Sequence, residues 1–396
     1  MTLKYIDRRN TDCFKWDGLA DTFGADGLLP LWVADMDFGI DDNIIEAMQE
    51  YIAQGVPGYY WVPDSYFDAF IKWEKEEHGL DVKREWIRFS PGVVTGFHFA
   101  VQMLTEPGDS VIVNTPVYYP FMNAVENNGR KLVTSGLVSD NGRYTIDFED
   151  FEKKITENDV KLFILCSPHN PVSRVWHEDE LSRLLDICRR HGIAVVSDEI
   201  HHDLVFGDIC HVPTLTLAGP EDRIIMMTAA SKTFNLAGLQ NSFIVIRNEE
   251  LRAKWDRFTT ANRIQSGNPL GYIAVKTAYE KGKPWLDEVK KTIYGNYEAL
   301  SEALRSGLKD AVISPLEGTY LAWLDFSAYL SPEEIKPFMQ EKCGLAFDYG
   351  EWFVDRNGDD GIASCCVRIN LATSRENVME AVNRIIGSMV ELTKHD

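Results

Sequence analysis

The sequence lacks the features that mark membrane, secreted and nucleic-acid-binding proteins. No apolar run approaches the ~20 residues that span a bilayer, and the first residues, MTLKYIDRRNTDCFKW, contain no apolar signal-peptide core. Cations are scarce, since 40 Lys and Arg face 61 Asp and Glu and leave a formal charge of −21. This charge repels phosphate backbones and anionic lipid. We therefore expect no nucleic-acid partner, no membrane partner and a cytoplasmic location.

Paired cysteine motifs are also missing. The chain has 7 cysteines, an odd number, and none of them form a CxxC pair. Reduced and mostly buried thiols fit this distribution best. Low-complexity tracts and fixed-period repeats are absent as well. What remains is ordinary for a soluble globular chain, with 45% apolar and 26% charged residues over a length of 396 that suits two domains.

Short apolar runs alternate with helical stretches through the middle of the chain. The runs cover residues 110–114, 161–166, 193–197, 224–228 and 243–246. Strands this apolar are typically buried on both faces, as in a parallel sheet covered by helices. The sequence therefore predicts an α/β fold whose large domain has a mostly parallel sheet between helices.

The C-terminal part has a different pattern, with strands at 319–325 and 366–371 and helices at 332–341 and 375–392. We read it as a smaller α+β domain. A long helix that follows Pro284 contains the predicted boundary. The predicted division is 1–40 for an extended N-terminal arm that joins the small domain, 41–290 for the large domain and 291–396 for the small domain.

A glycine-containing turn, SPGVVTG at 90–96, separates a short strand from a helix. Free N–H groups at a helix start attract an anion, and Gly92 lets a phosphate approach the backbone of Val93 and Val94. In isolation, a simple connecting turn explains the motif equally well. Its spacing is not GxGxxG, so a nicotinamide-dependent enzyme loses its main support.

Three polar residues follow predicted strands. Asn170 lies in CSPHNP, Asp198 ends the run VVSD, and Lys232 lies in TAASKTFNLAGL. Ligands bind at such strand ends in α/β sheets, although an Asn-Pro turn or a solvated lysine is the ordinary alternative. A metal site of His201, His202 and His211 is disfavoured because adjacent histidines rarely face one ion. We predict no metal.

The four motifs occur in one order: glycine turn, Ser-Pro-x-Asn-Pro, strand-end Asp, then Ser-Lys. In this order the chain resembles the fold-type I enzymes that depend on pyridoxal 5′-phosphate (PLP), the aspartate aminotransferase superfamily. The resemblance covers nearly the whole chain. It implies PLP as cofactor and Lys232 as the catalytic residue that carries it as a Schiff base, with Asp198 paired to the ring nitrogen and Asn170 bonded to the phenolic oxygen.

The resemblance implies further binding residues. Gly92, Val93, Val94 and Ser231 match the phosphate-binding positions. Tyr118, or its neighbour Tyr119, matches the aromatic that stacks on the ring. Arg368, in VRINLA, matches the arginine that clamps the substrate carboxylate. Tyr59, in PGYY, matches a tyrosine that reaches the phosphate of a neighbouring subunit, which implies a homodimer with shared sites.

Three positions depart from the aminotransferase pattern. His201 stands where many aminotransferases have a tyrosine near the phenolic oxygen, and we count it among the cofactor-binding residues. Gln240 and Ala229 replace a phosphate-binding arginine and serine. Phosphate contacts must therefore be redistributed, or the cofactor is held less tightly.

A narrower resemblance follows from two further strings. LWVADMDF at 31–38, together with SKTFNLAGLQ at 231–240, resembles the cystathionine β-lyase branch. This implies an enzyme that cleaves L-cystathionine or related cysteine S-conjugates to a thiol, pyruvate and ammonia. A class I/II aminotransferase needs the same lysine, aspartate and arginine and is the alternative, followed by a regulatory protein that only binds PLP.

Overall fold

The computed structural model describes residues 3–355, 361 and 363–392. Within these residues the strands, numbered in chain order, are β1 Leu29–Pro30, β2 Ile87–Ser90, β3 Ser110–Thr115, β4 Lys131–Asp140, β5 Arg143–Ile146, β6 Val160–Cys166, β7 Ala194–Asp198, β8 Ile224–Thr228, β9 Ser242–Val245, β10 Val312–Ile313, β11 Leu321–Asp325, β12 Leu345–Ala346, β13 Asp348–Tyr349 and β14 Cys366–Asn370.

The α-helices of the same residues are α1 Phe14–Asp17, α2 Leu19–Phe23, α3 Asp42–Ala53, α4 Asp64–His78, α5 Val93–Leu104, α6 Pro120–Glu126, α7 Phe148–Glu157, α8 Glu178–Arg190, α9 Ala230–Thr233, α10 Glu249–Ala261, α11 Pro269–Lys281, α12 Lys283–Gly307, α13 Pro332–Pro337 and α14 Arg375–Leu392. None of these helices is both long enough and apolar enough to cross a membrane.

An eight-stranded sheet forms the centre of the fold, in the order β2-β9-β8-β7-β6-β3-β4-β5. The strands from β8 to β4 are parallel, and every residue of β3, β7 and β8 is buried. The predicted α/β architecture with a mostly parallel sheet is thus confirmed. The run at 243–246 forms β9, which is antiparallel to both β8 and β2, so the sheet is mostly and not wholly parallel.

The parallel strands bring three predicted site segments to one edge of the sheet. Cys166, at the end of β6, is in register with Asp198, which is in register with Met227 near the end of β8. The loop that contains Asn170 and the short helix α9 that contains Lys232 both begin directly after these strands. Chain segments that follow neighbouring parallel strands necessarily emerge side by side.

The N-terminal arm is not simply extended, contrary to expectation. It folds into α1 and α2, and Lys15 of α1 is buried with its Nζ atom 2.8 Å from Oδ2 of Asp37. Because lysine is almost never fully buried without a partner, this ion pair holds α1 against the segment that contains Asp37. The arm then forms β1, where Leu29 pairs with Leu345 of β12. The expected return of the arm to the C-terminal part is therefore observed.

The C-terminal part contains a four-stranded antiparallel sheet in the order β10-β11-β14-β13. Helix α14 packs on the long helix α12, in which the predicted boundary at residue 290 falls. The helix predicted at 332–341 is shorter: α13 ends at Pro337 and a π-helix, Phe338–Lys342, continues it. The division into two domains remains a prediction.

Candidate active site

Lys232 lies in the short helix α9, just after the buried strand β8. Its Nζ atom donates a hydrogen bond of 2.6 Å to the carbonyl oxygen of Ala34. Burial of the amine lowers the pKa of Lys232 to about 8, and nearby Arg368 acts in the same direction, although Asp35 and Asp198 oppose it. An amine with this pKa can give up and regain a proton near neutral pH.

Asp198 ends strand β7 and is 5% exposed. Its Oδ1 atom accepts a hydrogen bond of 3.1 Å from the backbone N–H of Ile200. Burial raises the pKa of the Asp198 carboxyl to about 7, and the positive charge of Lys232 only partly offsets this effect. A cationic group placed against this carboxylate would restore its charged form.

Arg368 of β14 is almost fully buried and holds three elements together. Its Nη1 atom donates to Oδ1 of Asn170 at 3.0 Å, and its Nη2 atom donates to the carbonyl oxygen of Trp32 at 2.9 Å. The guanidinium also pairs with Asp348, which faces it across the β13–β14 register. Within the described residues, the buried Nε atom of Arg368 has no hydrogen-bond partner.

Asp348 is a site residue that the sequence did not reveal. Burial raises the pKa of its carboxyl to about 6 although Arg368 lowers it, and its Oδ1 atom accepts no hydrogen bond from the described chain. Because the two residues face each other in the antiparallel register, the charge of Arg368 is balanced from the neighbouring strand. The sequence alone does not give the register of β13 and β14, so it could not predict that Asp348 faces Arg368.

The glycine turn forms an open helix start, as predicted. Gly92 has a φ of 94°, a conformation that favours glycine, and a Cβ atom added there would meet nothing within 4 Å. No side chain of the residues described by the structure caps the first turn of α5, which begins with Val93 and Val94. The backbone N–H groups of such a turn suit an anion. Ser231 precedes Lys232 and is partly buried, whereas Ala229 is buried and offers no hydroxyl.

Tyr118 and Tyr119 occupy different surroundings. The backbone N–H of Tyr118 donates to the carbonyl oxygen of Asn170 at 3.0 Å, and the charges of Arg368 and Asp198 both act on its hydroxyl. Tyr119 instead lines a cavity of about 590 Å³ whose other aromatic walls are Phe14, Trp32 and Trp352. Of the two, Tyr118 is therefore the tyrosine nearer to the Asn170 loop.

His201 is buried, and its Nδ1 atom accepts or donates no hydrogen bond among the described residues. Burial, together with the positive charges of Lys232 and Arg368, lowers the pKa of His201 well below its ordinary value. The imidazole is therefore neutral at neutral pH. Gln240, in contrast, is exposed at the end of a short 3-10 turn.

Residues 31–38 cross the candidate site and are held by side chains from distant parts of the chain. The carbonyl oxygen of Ala34 accepts from the hydroxyl of Tyr320 at 2.7 Å as well as from Lys232. Asn370 donates to the carbonyl oxygens of Val33 and Asp35, both at 2.6 Å. Sequence reasoning missed Ala34 because a backbone carbonyl has no residue signature.

Tyr59 is not brought to this cluster. Its side chain is fully exposed, on a surface loop with Val56 and Trp61. The structure thus brings together Lys232, Asp198, Asn170 and Arg368 and leaves Tyr59 outside. The Gly92 turn follows β2, which is separated from β8 by β9 in the same sheet.

Comparison with known proteins identifies the family. A model of the family "Aminotransferase class I and II" matches residues 28–385, and the chain belongs to this family. Cystathionine beta-lyase PatB of Bacillus subtilis is 40% identical over 384 residues, which cover 96% of this chain and 98% of that protein. Protein MalY of Escherichia coli is 32% identical over 81% of this chain and 83% of its own length.

Solved structures agree with this placement. Cystalysin from Treponema denticola, which contains pyridoxal 5′-phosphate, has a TM-score of 0.93 and 34% identity, covering 99% of this chain and 100% of its own. The PLP-bound C-S lyase from Staphylococcus hominis has a TM-score of 0.91 and 33% identity, covering 98% of this chain and 97% of its own.

Proposed function

We propose that the protein is a PLP-dependent carbon–sulfur β-lyase that cleaves L-cystathionine or related cysteine S-conjugates to a thiol, pyruvate and ammonia. One observation carries the proposal: a lysine of lowered pKa, a buried aspartate and a buried arginine converge at one sheet edge. The full-length similarity to PatB, cystalysin and the Staphylococcus hominis C-S lyase supports the choice of reaction.

The side chains and backbone N–H groups of the candidate site fit PLP. Among the described residues, the buried carboxylate of Asp198 has no charged partner at hydrogen-bonding distance, which suits the N–H of a protonated pyridine ring. The uncapped start of α5 suits a phosphate, with N–H groups from Val93 and Val94 and a hydroxyl from Ser231. Tyr118 supplies a ring face, and the side-chain amide of Asn170 can donate because its oxygen is taken by Arg368.

When bound, PLP supplies an electron sink for negative charge at the substrate Cα. The chain supplies the remaining functions. Arg368 holds the substrate carboxylate through its guanidinium, whose Nε–H is unused within the described chain. The Nζ atom of Lys232 removes the Cα proton, and the bond between Cβ and sulfur then breaks with its electron pair on sulfur. Neutral His201 adds no competing positive charge beside Lys232.

The phosphate contacts differ from those of many aminotransferases. Ala229 and the exposed Gln240 offer neither a hydroxyl nor a guanidinium at the matching positions. We assign the phosphate mainly to backbone N–H groups of the Gly92 turn, in which φ of Gly92 keeps the approach open.

A homodimer with shared sites is part of the proposal. Val56, Tyr59 and Trp61 are 75%, 112% and 90% exposed on one loop, and exposed apolar patches often mark interfaces. Covering this loop with a second copy would allow Tyr59 to reach the partner's phosphate. Sedimentation equilibrium should give the mass of two chains, and an active monomer would contradict the dimer. Free cysteines support a cytoplasmic location, which cell fractionation tests.

The reaction is tested by incubating the PLP-loaded protein with L-cystathionine and no added 2-oxo acid. We expect pyruvate, ammonia and homocysteine in equal amounts over many turnovers, because β-elimination needs no amino-group acceptor. An aminotransferase would stop after a single turnover without an acceptor. The same assay with L-alanine, which has no leaving group on Cβ, is the control. Turnover only when a 2-oxo acid is present would replace the lyase by the aminotransferase.

A further inference from the structure

A second buried polar cluster lies between helix α4 and the segment that follows β7. It consists of Glu74, His78, His202 and Asp203 and is called the Glu74 cluster below. Glu74 and His78 lie one helical turn apart on α4, so both face the same neighbour. Glu74 and His202 are 0% exposed. One ligand atom each of Glu74, His78 and His202 lies within 4.8 Å of the other two.

The hydrogen bonds of His202 define which ring nitrogen is free. Its Nδ1 atom lies 2.5 Å from the backbone carbonyl oxygen of Glu199. A carbonyl can only accept, so Nδ1 carries the hydrogen, and in the neutral ring Nε2 has a lone pair. That atom lies 3.3 Å from Oε1 of Glu74 and 3.4 Å from Oδ2 of Asp203. In the neutral ring an acceptor thus faces the unpartnered Glu74 carboxylate, and a cation between the two would satisfy both.

A proton on Nε2 would not form hydrogen bonds of normal length to these carboxylate oxygens. Both distances exceed the ~2.7–3.2 Å of ordinary N–H···O bonds. Asp203 already accepts hydrogen bonds from Trp73 and Thr233, whereas neither oxygen of Glu74 accepts one within the described part of the chain. A fully buried carboxylate without a donor is costly. A tetrahedral ion at ~2.0–2.1 Å from each donor, by contrast, spaces its ligands ~3.3 Å apart.

The histidines are also braced as metal ligands usually are. His202 donates to the Glu199 carbonyl, and the Nε2 atom of His78 lies 2.8 Å from Oδ1 of Asp203. Second contacts of this kind orient ligand rings and make them better donors. Asp203 further accepts from Oγ1 of Thr233 at 2.6 Å, which connects the cluster to the residue after Lys232.

We propose that Glu74, His78 and His202 bind a divalent transition-metal ion, zinc by donor type, in a structural site distinct from the PLP site. Two imidazoles and one carboxylate suit zinc. The ion would tie α4 to the segment after β7. This revises the prediction of no metal, which considered His201, His202 and His211. Neither His201 nor His211 belongs to the set, since Nε2 of His211 bonds Oε2 of Glu199 at 2.8 Å.

Metal analysis tests the proposal on tag-free PLP-loaded protein purified without chelators. We expect about one zinc ion per subunit. Glu74→Gln and His202→Gln should each lower the zinc content at least ~10-fold, because each removes one of three ligands. The matched controls are Glu152→Gln and His191→Gln, which alter an exposed Glu–His pair with a 2.9 Å contact and should leave the content unchanged.

Thermal unfolding of the wild-type protein is a second measurement, and it remains informative even if a variant does not fold. Chelator-treated wild-type protein should unfold at a temperature several degrees higher after ZnCl₂ is added, because the ion binds only the folded state. The Glu74→Gln and His202→Gln proteins should not respond. Wild-type protein without bound metal and without a response to ZnCl₂ overturns the proposal and leaves a proton on His202. Zinc retained by both variants overturns it as well.

Discussion

Lys232→Ala is expected to lower pyruvate release from L-cystathionine by at least ~10³-fold, within the range typical for loss of a general base together with an anchoring amine. No other described amine replaces it, because Lys15, the buried lysine near residues 31–38, is paired with Asp37. The decrease should appear in kcat, measured as initial pyruvate formation at saturating substrate.

The fold should survive this substitution. The Ala34 carbonyl keeps its hydrogen bond from Tyr320, so residues 31–38 stay in place. Lys254→Ala removes a surface lysine that pairs with Glu250 at 3.0 Å and serves as the matched control with unchanged turnover. Full activity of Lys232→Ala, with PLP bound, would refute the proposed reaction.

Arg368→Ala is expected to lower kcat/KM for L-cystathionine by ~30- to 10³-fold, equivalent to about 2–4 kcal/mol for a lost charge-assisted carboxylate contact. Steady-state kinetics measures this effect. The substitution also leaves Asp348 buried without its cation, so the protein should unfold at a lower temperature.

A double variant separates these two effects. Arg368→Gln with Asp348→Asn removes the guanidinium and its buried counter-charge together, and it should recover most of the lost stability but little of the lost kcat/KM. Arg368→Lys keeps the charge and loses the planar two-nitrogen geometry. If the double variant regained wild-type kcat/KM, Arg368 would act through stability and would not bind the substrate carboxylate.

The sheet and most of the site were predictable because their signals are local. Residues 224–227 are all apolar and Thr228 follows them, and the observed β8 covers the same five residues. Asp198 and Asn170 each follow such a run, and parallel strands carry both to one edge. The order of motifs along the chain then singled out Lys232, among 40 Lys and Arg residues, as the candidate for the cofactor lysine.

What escaped prediction depends on pairing between distant segments. Asp348 becomes the partner of Arg368 only through the antiparallel register of β13 and β14. Glu74 approaches His202 because α4 packs beside the segment after β7, a contact between residues far apart in sequence. The direction of β9 could not be predicted for the same reason, since apolar content does not encode whether a neighbouring strand runs parallel or antiparallel.

The hydrogen bonds that Asn370, Arg368 and Tyr320 donate to residues 31–38 have a consequence for folding during synthesis. The early segment must wait, solvent-exposed or loosely docked, until the ribosome has made the last strand more than 300 residues later. Contacts this remote slow folding, and the nascent chain exposes Trp32 and its neighbours to chaperones for that interval. The surroundings of Lys232 are therefore complete only after β14 has been synthesised, so a chain that stops before β14 contains Lys232 without the contacts that position residues 31–38.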